Sequence, residues 1–82
     1  MHKYNQIFGV DISKDVFDVM SSEGKLLQFE NSSKGFNQLT KHLTKKDLIV
    51  MEATGYYHYC LAQYLYDLGY IVSVVNPLAV KR

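Results

Sequence analysis

The stretch "LIVMEATGYY", Leu48 to Tyr57, decides how the chain is read. Four apolar residues in a row, 48–51, predict a strand buried on both faces, because a half-exposed strand alternates apolar with polar side chains. The run ends on a carboxylate, Glu52, and then on a small-residue turn, Ala53-Thr54-Gly55. From Tyr56 to about Leu68 the period becomes helical, with Tyr57, Leu61, Tyr64, Leu65 and Leu68 on one face. Gly69 closes that helix as its C′ residue. Taken alone, the acid has a bland explanation: strands must stop, and carboxylates are soluble. The surrounding chain decides whether that suffices.

On the N-terminal side, 6–12 ("QIFGVDI") and 15–21 ("DVFDVMS") are rich in β-formers, and 26–30 ("LLQFE") makes a third strand. Glu23-Gly24 suits a tight hairpin, since glycine tolerates positive φ, so the three strands predict an antiparallel meander. Ser32 or Ser33 then caps a helix with Phe36, Leu39 and Leu43 as its apolar stripe. Lys41, Lys45 and Lys46 gather toward its C-terminal end, where cations suit the helix dipole. The final strand is 70–77 ("YIVSVVNP"), stopped by Pro77. The order β-β-β-α-β-α-β predicts an α/β mixed sheet, with parallel pairing wherever a helix intervenes and the helices covering the sheet.

The 82 residues allow one small domain. Hydrophobic residues are 48% and charged residues 21%, a globular balance that excludes a disordered tail. The lone cysteine, Cys60, excludes an internal disulfide; its helical position predicts a packed thiol in a reducing, cytoplasmic setting. A net charge of +1 gives no global electrostatic case for nucleic acid and leaves a local patch open. Neither a secretory leader nor a membrane-spanning run is visible.

Asp11 and Glu52 acquire meaning together. Each stands at the C-terminal end of a strand, and if those strands are parallel neighbours both carboxylates emerge at one sheet edge, where open α/β sheets place their sites. Gly9 shares the face of Asp11 and leaves room beside it. Two carboxylates with no basic partner repel unless a hard cation such as Mg²⁺ lies between them. Carboxylate-bound metals activate and stabilise the oxygens exchanged in phosphodiester chemistry.

Three segments, "GVDISKDVFDV", "MEATGYYHYCLAQYLYDLGY" and "VSVVNPLAVKR", resemble the DEDD transposases of the insertion-sequence one-ten type, a family that includes the Piv-type DNA invertases. The resemblance runs over essentially the whole chain with its segments in order. It implies an RNase H-like (RuvC-like) fold, with Asp11 and Glu52 as the first two of four catalytic, metal-binding acids and Mg²⁺ (or Mn²⁺) as cofactor. It also implies DNA as partner, target choice assisted by a guide RNA, and a homo-oligomer when full length. The family's other two acids lie on a later helix, so the resemblance implies an N-terminal fragment, truncated before the last catalytic helix and inactive alone.

Smaller expectations attach to other residues. Lys14 either meets a phosphate or the acids, or is a solvated turn lysine. Ser13 suits a local turn bond. Thr54 is expected to cap the long helix, with Gly55 freeing the turn, so that the helix N-terminus favours a phosphate. Lys81 and Arg82 either begin an approach to nucleic acid or form a frayed end. Tyr57 and Tyr64 are expected in the core, Tyr59 and Tyr66 outside it, and His2, His42 and His58 on the surface. Two other function classes fit part of the pattern. One is an actin-like sugar or acetate kinase, which requires a glycine-rich phosphate turn where this chain has "DISKD". The other is a non-catalytic DNA-binding module, weakened as a sole role by near-neutral charge.

Overall fold

The computed structural model describes residues 4–53 and 55–76. The elements are β1 (Ile7–Ile12), β2 (Val16–Ser21), β3 (Leu26–Glu30), α1 (Ser33–Thr40), β4 (Leu48–Glu52), α2 (Tyr59–Asp67) and β5 (Ile71–Val75). They build one five-stranded sheet in the order β3-β2-β1-β4-β5. β1, β2 and β3 form the expected antiparallel meander, while β4 pairs parallel with β1 and β5 parallel with β4. This mixed sheet has the RNase H-like arrangement. At the β2–β3 hairpin Gly24 takes φ 89°, and the buried Ser21 hydroxyl accepts the backbone N–H groups of Glu23 and Lys25 at 3.2 and 3.1 Å.

Both helices lie on one face of the sheet. The crossover from β3 through α1 to β4, and the next through α2 to β5, step across the sheet in the same direction. Two right-handed crossovers in one direction put their helices on the same side. Against them pack Phe8, Val10, Phe17, Val19, Ile49 and Met51 from the strands, closed by Phe36, Leu39, Leu43, Leu61 and Leu65. Aromatic rings tie the layers together: Phe17 lies 5.5 Å from Phe29 and 6.0 Å from Phe36, and Phe36 lies 5.3 Å from Tyr64.

The other face is uncovered, which corrects the expectation that β4 is buried on both faces. The helices cover one face of the sheet only, and β4 is buried on one face only: Ile49 and Met51 are sealed, whereas Leu48 and Val50 are half-exposed. Met20 and Leu26, 52% and 61% exposed, continue the open apolar surface.

The helices are shorter than their sequence patterns. Ser32 caps α1, accepting from the Gly35 N–H at 3.5 Å. The helix stops at Thr40, so its last turn carries no base and the predicted dipole pairing of the lysines does not hold; Leu43 still reaches the core from the following turn. α2 begins at Tyr59 rather than Tyr56, after a turn that ends at His58. Tyr57 precedes the helix and is 48% exposed instead of packed, and Leu68, as C-cap, is also exposed. His58 is the reverse case, 4% exposed where a surface residue was expected, with its ring 4.3 Å from that of Tyr59. The Cys60 thiol is exposed rather than packed, because it falls on the outward side of α2 beside the buried Leu61. Tyr64 is half-buried, and Tyr59 and Tyr66 face outward as expected. The close at Gly69 holds too: with φ 93° it donates to the Tyr66 carbonyl at 3.0 Å while Tyr70 donates to Leu65 at 3.0 Å, a Schellman pair.

Candidate active site

The parallel register of β1 and β4 pairs Gly9 with Val50 and Val10 with Met51, so Asp11 and Glu52 occupy the next positions along the two strands. Alternation sends both toward the uncovered face, since each is exposed beside a buried neighbour, Val10 or Ile12 for Asp11 and Met51 for Glu52. They line one open groove of about 460 Å³ together with Gly9, Asp18, Met20, Leu26, Val50 and Val75. The two acids, distant in sequence, therefore stand on adjacent strands, on one face and at one edge, as the strand order predicts.

Gly9 supplies the room expected of it. A Cβ there would come no closer than 4.0 Å to its nearest neighbour, the Met20 carbonyl oxygen. The sheet itself does not demand a glycine at this position; its effect is to keep the groove floor low beside Asp11.

Two residues of the site escape the sequence reading. Asp18 stands directly across the antiparallel ladder from Asp11 and lines the same groove, with its carboxylate accepting from the Gln28 amide at 2.8 Å. The register of the β1–β2 hairpin, once counted back from its turn, places it there. Asn31 is the other. Its side-chain amide lies 3.0 Å from the Ser13 carbonyl and 3.4 Å from those of Lys14 and Tyr57, and its backbone N–H donates to Asp15 at 2.8 Å. Asn31 thus ties the turn after Asp11 to the turn that leads into α2. No periodic signal marks such a loop-to-loop clamp.

The remaining predicted site residues divide. Lys14 is exposed in the β1–β2 turn, at the acid edge. Ser13 makes the local bond expected of it, donating from its hydroxyl to the Val16 carbonyl at 2.9 Å. Gly55 has φ 67°, the left-handed conformation that favours glycine. Thr54, Pro77, Lys81, Arg82 and His2 lie outside the described residues. His58, not Thr54, is the N-cap residue of α2, and it makes no side-chain capping bond. The described residues that line the groove come from the strands, with none from α2 among them.

Carboxylate oxygens are hard donors, of the kind that Mg²⁺ or Mn²⁺ takes rather than a soft metal. Among the described residues, no three of His, Cys, Asp and Glu are close enough to enclose a cation. Asp11 and Glu52 therefore fit part of a coordination sphere, the rest of which water and other groups would fill.

Known families bear on this geometry. The model of the DEDD transposases of the IS110 type, described as "Transposase", matches residues 8–82. The chain belongs to this transposase family. Among relatives, the pilin gene-inverting protein of Moraxella bovis is 34% identical over 79 residues, covering 85% of this chain. The chain spans 24% of that relative's length. Among solved structures, a non-polymerising mutant of MamK bound to AMPPNP matches with a TM-score of 0.52 at 13% identity, over 92% of this chain and 42% of that one. At that identity the likeness is one of fold alone. No described helix is long and apolar enough to cross a membrane.

Proposed function

We propose that this chain is the N-terminal part of the catalytic domain of a DNA transposase or recombinase, in which Asp11 and Glu52 hold a divalent metal for strand cleavage and rejoining. The observation that carries the reading is the placement of these two acids: adjacent parallel strands, one open face, one groove. Family membership supplies the class of reaction, and the pilin gene-inverting relative supports DNA as the substrate.

In this reading Asp11 and Glu52 would bind Mg²⁺ or Mn²⁺. When bound, the metal lowers the pKa of a coordinated water or hydroxyl and offsets the charge that builds on the leaving oxygen. The chain's own part is to hold the two carboxylates in fixed relation through the sheet and to keep Gly9 clear for a phosphate. Asp18, tethered by Gln28, adds negative charge beside them and strengthens the attraction for a cation. With two acids and an uncovered groove, the 82 residues alone do not cleave DNA; the remaining ligands come from elsewhere in a longer protein. Guide RNA and oligomeric assembly belong to that longer protein. A nucleotide-binding role is disfavoured by the turn Ile12-Ser13-Lys14-Asp15, which has no glycine to bring backbone N–H groups against phosphates.

In the longer protein, Asp11→Ala and Glu52→Ala should each lower strand cleavage by at least about 100-fold while leaving the fold intact. Cleavage near the wild-type rate by either variant would remove the metal-binding role from that residue.

A further inference from the structure

We propose that the sheet edge opposite the acids is a second contact surface, at which Lys25, Lys41, Lys45 and Lys46 grip the phosphate backbone of duplex DNA. The identity of the polyanion rests on the transposase reading; the surface itself rests on the structure.

The four lysines converge from two connections, Lys25 from β2–β3 and the other three from α1–β4. β1 and β4 begin at this edge, with Ile7 opposite Leu48, and the Asn5 N–H donates to the Lys46 carbonyl at 2.9 Å. The β2–β3 hairpin that carries Lys25 is held to the same edge by the Ile7 N–H donating to the Ser22 hydroxyl at 3.2 Å. Lys25 and His42 line one small pocket there. Lys45 reaches the end of α2, where its Nζ sits 5.0 Å from the Tyr70 ring centroid.

Among the described residues the Tyr70 ring is the one partner of these cations, and it serves Lys45 alone. α1 ends at Thr40, so the lysines do not serve its dipole. Glu23 and Asp67 are the exposed acids at this edge, and Asp67 already accepts from the Gln63 amide at 2.8 Å. Asp47, the acid next to Lys46, is turned inward, with one oxygen taken by the Gln6 N–H at 3.1 Å and the other by the Thr44 N–H at 2.7 Å. Among the described residues the opposite edge has the reverse balance, with Asp11, Asp15, Asp18, Glu30 and Glu52 against Lys14 and Lys34. The described part of the chain is therefore electrically polarised along its strands.

The turn is also rigid. Asp47 donates its N–H to the Thr44 carbonyl at 3.1 Å, and Lys46 donates its N–H to the Thr44 hydroxyl at 3.2 Å. Lys45 and Lys46 thus project from a fixed backbone, which reduces the ordering cost of binding. Lysines that neutralise phosphates release condensed counterions, a salt-dependent source of affinity that needs no base recognition. At about 3.3 Å per strand residue the two edges lie roughly 20 Å apart, so this surface is a separate contact from the groove of the acids.

The test is fluorescence anisotropy of a labelled DNA duplex with the 82-residue chain in EDTA, from about 50 to 200 mM salt. Lys41→Glu/Lys45→Glu/Lys46→Glu should weaken binding at least about tenfold and flatten the slope of log K against log salt by about two to three. The milder Lys→Gln triple should show a smaller loss in the same direction, with circular dichroism unchanged. Binding measured in EDTA needs no metal, which separates the surface from the acid site. Unchanged affinity and slope in both triples would overturn the proposal. So would equal losses from Lys46→Glu and from Lys34→Glu at the far edge, which reduce the effect to net charge, or losses confined to an RNA duplex.

Discussion

Asp47 is sealed from solvent, and both its carboxylate oxygens are engaged by backbone N–H groups of Gln6 and Thr44. It braces the turn before β4 against the start of β1, and so fixes the parallel pair that carries the acids at its other end. A buried N–H stripped of its acceptor costs about 1–3 kcal/mol. Asp47→Ala should therefore lower stability by about 3 kcal/mol in urea unfolding, and Asp47→Asn, which keeps one acceptor oxygen, by less. A loss within about 0.5 kcal/mol for Asp47→Ala would mean that the brace carries no weight. The sequence gives little hint of this residue: an aspartate after two lysines reads as a solvated loop. His58 is similarly opaque, since nothing in "GYYHYC" marks a histidine that is buried with an unpartnered Nδ1.

At the scale of elements, the packing of α1 onto the sheet depends on Gly35. A Cβ at this position would overlap the Glu30 carbonyl oxygen, which is backbone and cannot swing aside. In an open helix, glycine to alanine gains about 1 kcal/mol. Here overpacking reverses the sign, and Gly35→Ala should cost about 1–3 kcal/mol in thermal or urea unfolding. Stabilisation by Gly35→Ala would show that α1 can lift from the end of β3 without loss. The existence and type of the elements were legible because their periodicities were clear: β1 alternates, and Leu61 and Leu65 stand one turn apart. Their ends were not, because Tyr57 and Leu68 fit a helical stripe that backbone capping at His58 and Leu68 cuts short. Hydrophobic spacing records a face; it does not record where hydrogen bonding stops.

Over the whole molecule, the strand order brings Asp11 and Glu52 together across a long stretch of sequence, and that convergence could be read before any coordinates. It follows from two facts the pattern does contain: a meander that leaves one edge of β1 free, and helical crossovers that force parallel pairing. The sidedness of the sheet was missed for an equally physical reason. An unbroken apolar run such as Leu48 to Met51 looks the same whether its second face is covered or open. The direction of the crossovers, not the composition of the strand, puts both helices on one side and leaves the groove of the acids uncovered. Asp18 joins that groove through hairpin register alone. The most direct test of the account is an NMR titration of the chain with Mg²⁺ and paramagnetic Mn²⁺. Shifts and broadening should centre on Asp11 and Glu52, spread to Gly9 and Asp18, and fall away in Asp11→Asn and in Glu52→Gln. Perturbations centred elsewhere, or unchanged in both variants, would contradict a shared metal site.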